Sequence, residues 1–127
     1  MMTEVVMVKL DSDFEECVKV IVCGKALICF MQYSDIVVKE GDVWLADFFC
    51  EIFNDFIVEE TNLDLGLHRV GRNFSYVGVG KISEDKLDCG EVVFEEDCFL
   101  REFHFLNGKK IAWSLDRLEI DLMEKIL

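Results

Sequence analysis

Proline is absent from this sequence, histidine occurs only twice, and no apolar run is long enough to cross a membrane as a helix. Without proline or low-complexity stretches, no segment has the composition of a linker, so the 127 residues are expected to form one domain, residues 1–127. His68 and His104 leave few candidates for a metal site or a histidine-based catalytic relay. A membrane helix needs roughly 18 to 20 consecutive apolar residues, and charged residues interrupt even the most apolar third of this chain.

Close pairs of cysteines are also missing. The spacing therefore does not favour a zinc site, which needs such pairs. Most of the cysteines lie in apolar runs, where cysteine acts as a small hydrophobic residue. The N-terminal MMTEVVMVKL lacks the basic leader of an export signal. We therefore expect a soluble, cytoplasmic protein with reduced thiols and with no metal or other cofactor. The six cysteines are Cys17, Cys23, Cys29, Cys50, Cys89 and Cys98.

Basic residues are few relative to acidic ones. The chain has 13 lysines and arginines against 26 aspartates and glutamates, a net charge of −13. Residues 1–64 hold 14 acids and 4 bases, a net charge of −10, whereas residues 65–127 hold 12 acids and 9 bases, a net charge of −3. Proteins bind nucleic-acid backbones through lysine and arginine, so this surface opposes nucleic-acid binding. The acids are either a solubilising coat or a surface for a basic partner.

The acidic first half suggests the first functional hypothesis, a protein-interaction module such as an inhibitor or an immunity-type partner. Complementary charge speeds the encounter of two proteins and makes it sensitive to salt. No membrane partner is expected, and an unpaired edge strand rich in Phe and Val would allow two copies of the chain to pair. We call the candidate residues for a basic protein partner the predicted acidic face: Asp47, Glu51, Asp55, Glu59 and Glu60.

Residues 73–94 have the pattern of a hairpin. Apolar runs that are rich in β-branched and aromatic residues lie on both sides of the polar turn SEDK. Gly78 and Gly80 interrupt the first run, but the third glycine and the following helix of a phosphate-binding loop are missing. The two glycines therefore favour a bend in a strand.

Three strands are predicted in the first third of the chain. Residues 4–10 are rich in valine, and residues 17–22 and 26–33 are rich in β-branched and aromatic residues. Gly24 and Lys25 join the last two strands by a connection short enough for a tight hairpin.

Residues 43–58 have the sequence VWLADFFCEIFNDFIV. Their apolar residues fit both the 3.6-residue period of a helix and the two-residue period of a strand. As a helix, the segment has an apolar stripe that includes Phe49 and Ile52. As a strand, it places Trp44 and Phe48 on one face and the acids on the other. The aromatic and β-branched composition favours a long strand, and a helix is the alternative.

Asn107 and Gly108 predict a second hairpin, because this dipeptide tolerates the positive φ angles of a two-residue turn. The flanking residues 99–106 and 110–115 are predicted to be its strands. Residues 117–122 alternate between polar and apolar types, which predicts a last strand.

These segments together predict an all-β fold, mainly antiparallel, with about seven or eight strands and at most one or two short helices. Residues 59–72 are predicted to be a connection. In its size and its glycine-bent hairpins the chain looks like an OB-type barrel, a small closed or strongly coiled barrel. The resemblance covers the architecture alone, so it implies no activity.

The second functional hypothesis is a module for a ligand or a single-stranded nucleic acid. Arg69, Arg72, Phe74 and Tyr76, which we call the predicted ligand face, combine basic charge with rings on which bases can stack. A third hypothesis is an enzyme that uses His68 or a reactive cysteine. No motif singles out a nucleophile or a base, so the sequence predicts no catalytic residue and favours a protein that is not an enzyme.

Overall fold

Two β-sheets make up the part of the chain that the structure, a computed structural model, describes: residues 3–10, 17–31, 38–53, 56–71 and 74–127. Five strands close a barrel in the order β1-β2-β3-β11-β4. β11 runs parallel to β3 and antiparallel to β4, and β1 pairs antiparallel with β2 and β4. The barrel strands are β1 (Thr3–Leu10), β2 (Cys17–Val22), β3 (Lys25–Phe30), β4 (Val43–Glu51) and β11 (Arg117–Lys125).

The second sheet has the strand order β5-β10-β7-β8-β9, and β6 also pairs with β7. A short helix, α1 (Asp97–Arg101), and a 3₁₀ helix, His104–Leu106, follow β9. The strands of this sheet are β5 (Val58–Glu60), β6 (Gly66–Arg69), β7 (Tyr76–Ser83), β8 (Lys86–Asp88), β9 (Val93–Glu95) and β10 (Lys110–Leu115).

The second sheet is inserted into the barrel at a single point. β4 ends at Glu51 and β11 begins at Arg117, and these two residues are direct cross-strand partners. Next to this last residue pair, the Asp116 N–H donates to the Glu51 carbonyl oxygen at 3.0 Å. In the sequence, all strands of the second sheet therefore lie between Glu51 and Arg117, which are neighbours in the barrel.

One hydrophobic cluster runs through both sheets. In the second sheet, Trp113 is fully buried and contacts the rings of Phe56, Phe94 and Phe99 at centroid distances of 5.1–5.4 Å. Toward the barrel, the Lys25 ammonium at the start of β3 donates to the Leu67 carbonyl oxygen at 2.5 Å. Apolar packing and polar contacts thus both join the sheets.

The all-β, barrel-forming fold predicted from the sequence is confirmed. The hairpin predicted within residues 73–94 forms between β7 and β8, with Ser83 opposite Lys86, and the hairpin in residues 17–33 forms between β2 and β3. Residues 43–51 form a strand rather than a helix, although this strand ends earlier than predicted. The two short helical segments agree with the prediction of at most one or two. The more specific likeness to an OB barrel stays a prediction.

The prediction of a strand over residues 99–106 is wrong. The segment instead contains the end of α1 and the 3₁₀ helix, with residues 102–103 between them. Phe99 and Leu106 are buried and Phe103 is half-buried, which is a helical spacing of apolar residues. This spacing outweighs the turn signal of Asn107 and Gly108. The strand number is also wrong, since the described residues hold eleven strands. The excess comes partly from the region predicted to be a connection, which contains β6 and the end of β5.

Gly80 occupies a position where two backbones approach closely. A Cβ atom added to Gly80 would lie 2.3 Å from the Asp88 carbonyl oxygen, at the end of β8. No side chain fits in this space, as expected of a strand glycine at a close approach of two backbones. No helix in the described ranges is long and apolar enough to span a membrane.

Candidate functional site

The described residues of the predicted acidic face lie on strands of both sheets. Asp47 and Glu51 lie on β4 of the barrel, and Glu59 and Glu60 lie on β5 in the second sheet. Asp55 lies outside the described residues. Asp47 and Glu60 line two different clefts, and the Glu60 carboxylate is 3.0 Å from the ammonium of Lys109. Among the four described residues of the predicted acidic face, Asp47 alone borders the acidic cleft described next.

The main candidate site is a cleft of about 480 Å³ between β4 of the barrel and β9 of the second sheet. It brings together carboxylates from β4, from the β7–β8 turn and from the segment that connects β9 to α1. We call it the acidic cleft, and its lining residues are Asp47, Phe48, Phe49, Asp85, Val93, Phe94, Glu95, Glu96 and Asp97.

Strand alternation turns Asp47 of β4 and Glu95 of β9 away from the core. Phe48 of β4 and Phe94 of β9 are buried in the core, so the residues beside them in each strand point the other way. Asp47 and Phe49 are therefore presented by β4, and Glu95 by β9. Phe49 is 50% exposed, which leaves a large aromatic ring beside the carboxylates.

Basic side chains contact two of the five carboxylates in the cleft. The Lys86 ammonium lies 3.0 Å from Asp85, and the Arg101 guanidinium lies 2.9 Å from Asp97. The hydrogen bond from Lys86 lowers the pKa of Asp85, and the same contact raises the pKa of Lys86. The cleft is therefore lined by five carboxylates, and both of these basic residues stand outside its lining.

Glu96, a lining residue of the cleft, also contacts Cys50 of the barrel. The Cys50 thiol donates to the Glu96 carboxylate at 3.6 Å. Burial, followed by the charge of Glu96, raises the pKa of the Cys50 thiol above its ordinary value. Cys50 therefore stays protonated and can act as a hydrogen-bond donor in this contact.

The predicted ligand face is only partly presented to solvent. Tyr76 is buried, where its hydroxyl donates to the Ile28 carbonyl oxygen at 3.0 Å and accepts from the Ile28 N–H at 2.8 Å. Its ring is thus a contact between the two sheets and does not offer a free stacking surface. Phe74 is half-buried, Arg69 is exposed, and Arg72 lies outside the described residues.

Phe74 belongs to an aromatic cluster around Arg117 that the sequence did not indicate. The Phe74 and Phe30 rings meet edge to face at 5.7 Å. The Arg117 guanidinium lies 4.1 Å from the centre of the Phe30 ring and 5.4 Å from that of Phe53. Glu119 accepts from this guanidinium at 2.7 Å, so the positive charge is largely engaged within the protein.

His68 and the cysteines are the residues considered for an enzymatic role. His68 is exposed, and its Nε2 lies 2.7 Å from the Asp64 carbonyl oxygen. Burial raises the pKa of Cys89 to about 12 and that of Cys98 to about 11, and it raises the pKa of Cys29 further. Thiols with raised pKa values are poor nucleophiles at neutral pH. No group of three or more metal-ligating side chains is found within the described ranges.

Four of the five carboxylates in the acidic cleft were not predicted as site residues. Asp85, Glu95, Glu96 and Asp97 come from the second half of the chain, where the net charge is only −3. Their signal was the acidic composition of SEDK and EEDC, which by sequence alone resembles any solvated turn. Charge balance along the chain therefore did not indicate these four carboxylates.

The chain matches one family model, described as Uncharacterised conserved protein UCP019853, over residues 1–123. No curated protein and no solved structure shows significant similarity to it. The family description states no activity, so the function has to be argued from the site itself.

Proposed function

The chain belongs to the family Uncharacterised conserved protein UCP019853, and we propose that it is a protein-interaction module that binds a basic surface of another protein at the acidic cleft. The observation that carries this proposal is the convergence of five carboxylates from separate chain segments on one cleft. Five carboxylates at a single cleft would attract cationic side chains, and the net charge of −13 would steer a basic protein toward it.

Phe49 adds an apolar contact to this electrostatic attraction. Interfaces gain most of their binding energy from a few residues, and aromatic rings are frequent among them. An arginine of the partner could stack on the exposed face of Phe49 while its guanidinium meets the neighbouring carboxylates. The cleft therefore suits arginine more than lysine.

The biological role that we propose for this module is that of a cytoplasmic inhibitor or immunity-type partner. Its small size and acidic character suit a protein that covers a basic functional surface of another protein. The absence of a membrane-spanning helix from the described residues is consistent with this role.

The test is affinity capture on the purified protein at low and at high salt, with nuclease treatment, followed by mass spectrometry. The charge-reversed variant carries Glu95→Lys and Asp97→Lys in the cleft, and the matched control carries Glu4→Lys and Glu124→Lys at exposed barrel positions. We expect a basic protein that is retained at low salt by the native and control proteins and is lost with the cleft variant. A binder that is retained equally by all three proteins, or that is lost with nuclease, would contradict the proposal.

A second candidate function is the binding of a planar ligand or of single-stranded nucleic acid at the cluster around Arg117. It is favoured by one observation, the 62% exposure of the Phe53 ring beside the Arg117 guanidinium. Fluorescence anisotropy with a labelled single-stranded oligonucleotide tests it. Binding that is lost in Phe53→Ala would support this function, and the absence of binding by the native protein at low salt would reject it. The raised thiol pKa values give no support to the enzymatic alternative.

A further inference from the structure

One wall of the acidic cleft, β9, is a strand with an unpaired edge, and the other wall, β4, pairs with β11 from Trp44 to Glu51. Within the described residues, β1 pairs with β4 from Val43 to Ala46. On the opposite wall, β9 is the last strand in the order of the second sheet and pairs only with β8. Unpaired strand edges are templates for the addition of another strand.

Hydrogen bonds of β4 show which of its backbone groups face β11. The Asp116 N–H donates to the Glu51 carbonyl oxygen, so Glu51 faces β11. Because the backbone groups of successive residues point to alternate sides of a strand, the N–H and C=O groups of Cys50 and Phe48 point away from β11.

The same argument applies to β9. The Glu96 N–H donates to the Asp85 carbonyl oxygen at 2.8 Å, and the Cys89 N–H donates to the Val92 carbonyl oxygen at 3.0 Å. The even-numbered residues thus face β8, and Val93 and Glu95 carry their N–H and C=O groups on the free edge.

We propose that the acidic cleft binds its partner as an extended basic segment, which adds as a strand to the free edge of β9 and faces β4 across the cleft. Backbone hydrogen bonds to Val93 and Glu95 would hold the segment, and its lysine or arginine side chains would meet the surrounding carboxylates. This inference rests on the proposed function, and it specifies the form in which the partner binds.

Charge complementarity selects this occupant over a second copy of the chain. Two β9 edges that paired with each other would bring Glu95 and the adjacent Glu96 and Asp97 of both copies together. Like charges on facing strands are destabilising. A segment that alternates basic and apolar residues instead places positive charge beside Asp47, Phe49 and Glu95 and an apolar face toward the buried side of the cleft, where Phe48 and Phe94 lie.

The test uses a labelled peptide of alternating arginine and valine, with fluorescence anisotropy as the readout. One control peptide has the same sequence with N-methyl groups on alternate residues, which removes backbone donors but keeps the charge. A second control peptide alternates glutamate and valine. We expect the unmodified basic peptide to bind at least about tenfold more tightly than either control, since strand addition needs both backbone bonds and complementary charge.

A protein variant tests the same contact from the other side. Val93→Pro removes an N–H on the free edge, where proline is tolerated in a sheet, and it changes no charge. We expect it to weaken binding of the basic peptide by about tenfold, because it removes a backbone donor. A proline at Val43 in β4 would not serve as a control, because it would also remove the hydrogen bond that the Val43 N–H donates to the Leu127 carbonyl oxygen. The matched control is Val93→Ala, which keeps the N–H and should bind as the native protein does.

Amide hydrogen exchange keeps the proposal falsifiable even if Val93→Pro does not fold. Bound peptide should slow the exchange of the Val93 and Glu95 amides. If the N-methylated peptide binds as tightly as the unmodified one and exchange at these amides is unchanged, strand addition is rejected, while the proposed function stands. If neither basic peptide binds better than the acidic one, the proposed function of the cleft is rejected as well.

Discussion

Tyr76 and Phe49 show at the level of single residues how exposure depends on what covers each face of a strand. In β4 the alternation of the sequence placed Phe48 and Phe49 on opposite faces, and the structure buries Phe48 and leaves Phe49 50% exposed. In β7 one face holds Tyr76, Gly78, Gly80 and Ile82, and all four residues are buried. Alternation alone does not say which face of a strand is covered, and Tyr76 was wrongly expected at a surface.

Gly80 permits a residue-level prediction about stability. Gly80→Ala would place a methyl group 2.3 Å from the Asp88 carbonyl oxygen, and we expect it to lower the free energy of unfolding by about 1–3 kcal/mol through strain. Gly78→Ala is the matched control, since its Cβ would meet the nearest atom, the Cys89 sulfur, at 3.4 Å. Urea denaturation of both variants measures the difference, and equal midpoints would contradict the prediction.

Asp42 permits a prediction about pH. The Lys39 N–H donates to the Asp42 carboxylate at 2.9 Å, and this bond, with the charge of Lys125, lowers the pKa of Asp42. A lowered folded-state pKa means that ionised Asp42 stabilises the fold above the unfolded pKa of about 3.9 and that this stability is lost as the pH falls through the folded pKa. Asp42→Asn keeps the acceptor oxygen and removes the charge, so it should lower the melting temperature at pH 7 and have less effect in acid.

The control for this prediction is Glu40→Gln, which removes one negative charge from the same turn. Thermal melts of both variants and the native protein across pH 2–7 provide the measurement. A loss of stability in Asp42→Asn that persists unchanged at the lowest pH would show that the effect is not due to the carboxylate charge.

At the level of elements, the segment after β9 shows where local sequence signals fail. The apolar residues of 99–106 fit a strand by alternation and a helix by the spacing of Phe99, Phe103 and Leu106. The choice depends on the rings that receive these side chains, such as Trp113 against Phe99 at 5.1 Å. Those contacts come from a later strand, and no local pattern contains them. By contrast, the β2–β3 and β7–β8 hairpins depend on neighbouring residues only, and they were predicted correctly.

The helical arrangement of this segment predicts a specific pattern of mutational effects. Phe99 is fully buried, so Phe99→Ala should lower the free energy of unfolding by about 3–5 kcal/mol. Phe105 would share a face with Phe99 in a strand but is 72% exposed in the structure, so Phe105→Ala should change stability by less than about 0.5 kcal/mol. Chemical denaturation distinguishes the two arrangements, and a large loss in Phe105→Ala would favour the strand.

At the level of the whole molecule, the sequence predicted the fold class but not the division into two sheets. Binary patterning identifies strands one at a time, whereas the pairing of β11 with both β3 and β4 joins segments far apart in the chain. The candidate site had the same limit. Asp47 was predicted, but its neighbours Glu95 and Asp97 reach the cleft only through the packing of the second sheet on the barrel.

The net charge of −13 predicts a dependence of stability on salt. Repulsion among the acids destabilises the compact state, and it is screened as ionic strength rises from about 10 mM to about 150 mM. The melting temperature of the native protein should therefore rise over this range. In Glu95→Gln, the rise should be smaller and binding of basic partners should weaken. A melting temperature that falls with added salt would contradict this account.

The insertion of the second sheet between Glu51 and Arg117 also has a consequence for the order of folding during synthesis. The barrel cannot close until β11, which pairs with both β3 and β4, has left the ribosome. By then all strands of the second sheet have been made, and its neighbouring hairpins can form first because they need only short loops. Closing the barrel joins strands that are far apart in the sequence, and such pairing is slow. The newly made chain therefore holds β1 to β4 as an open sheet until β11 pairs with β3 and β4.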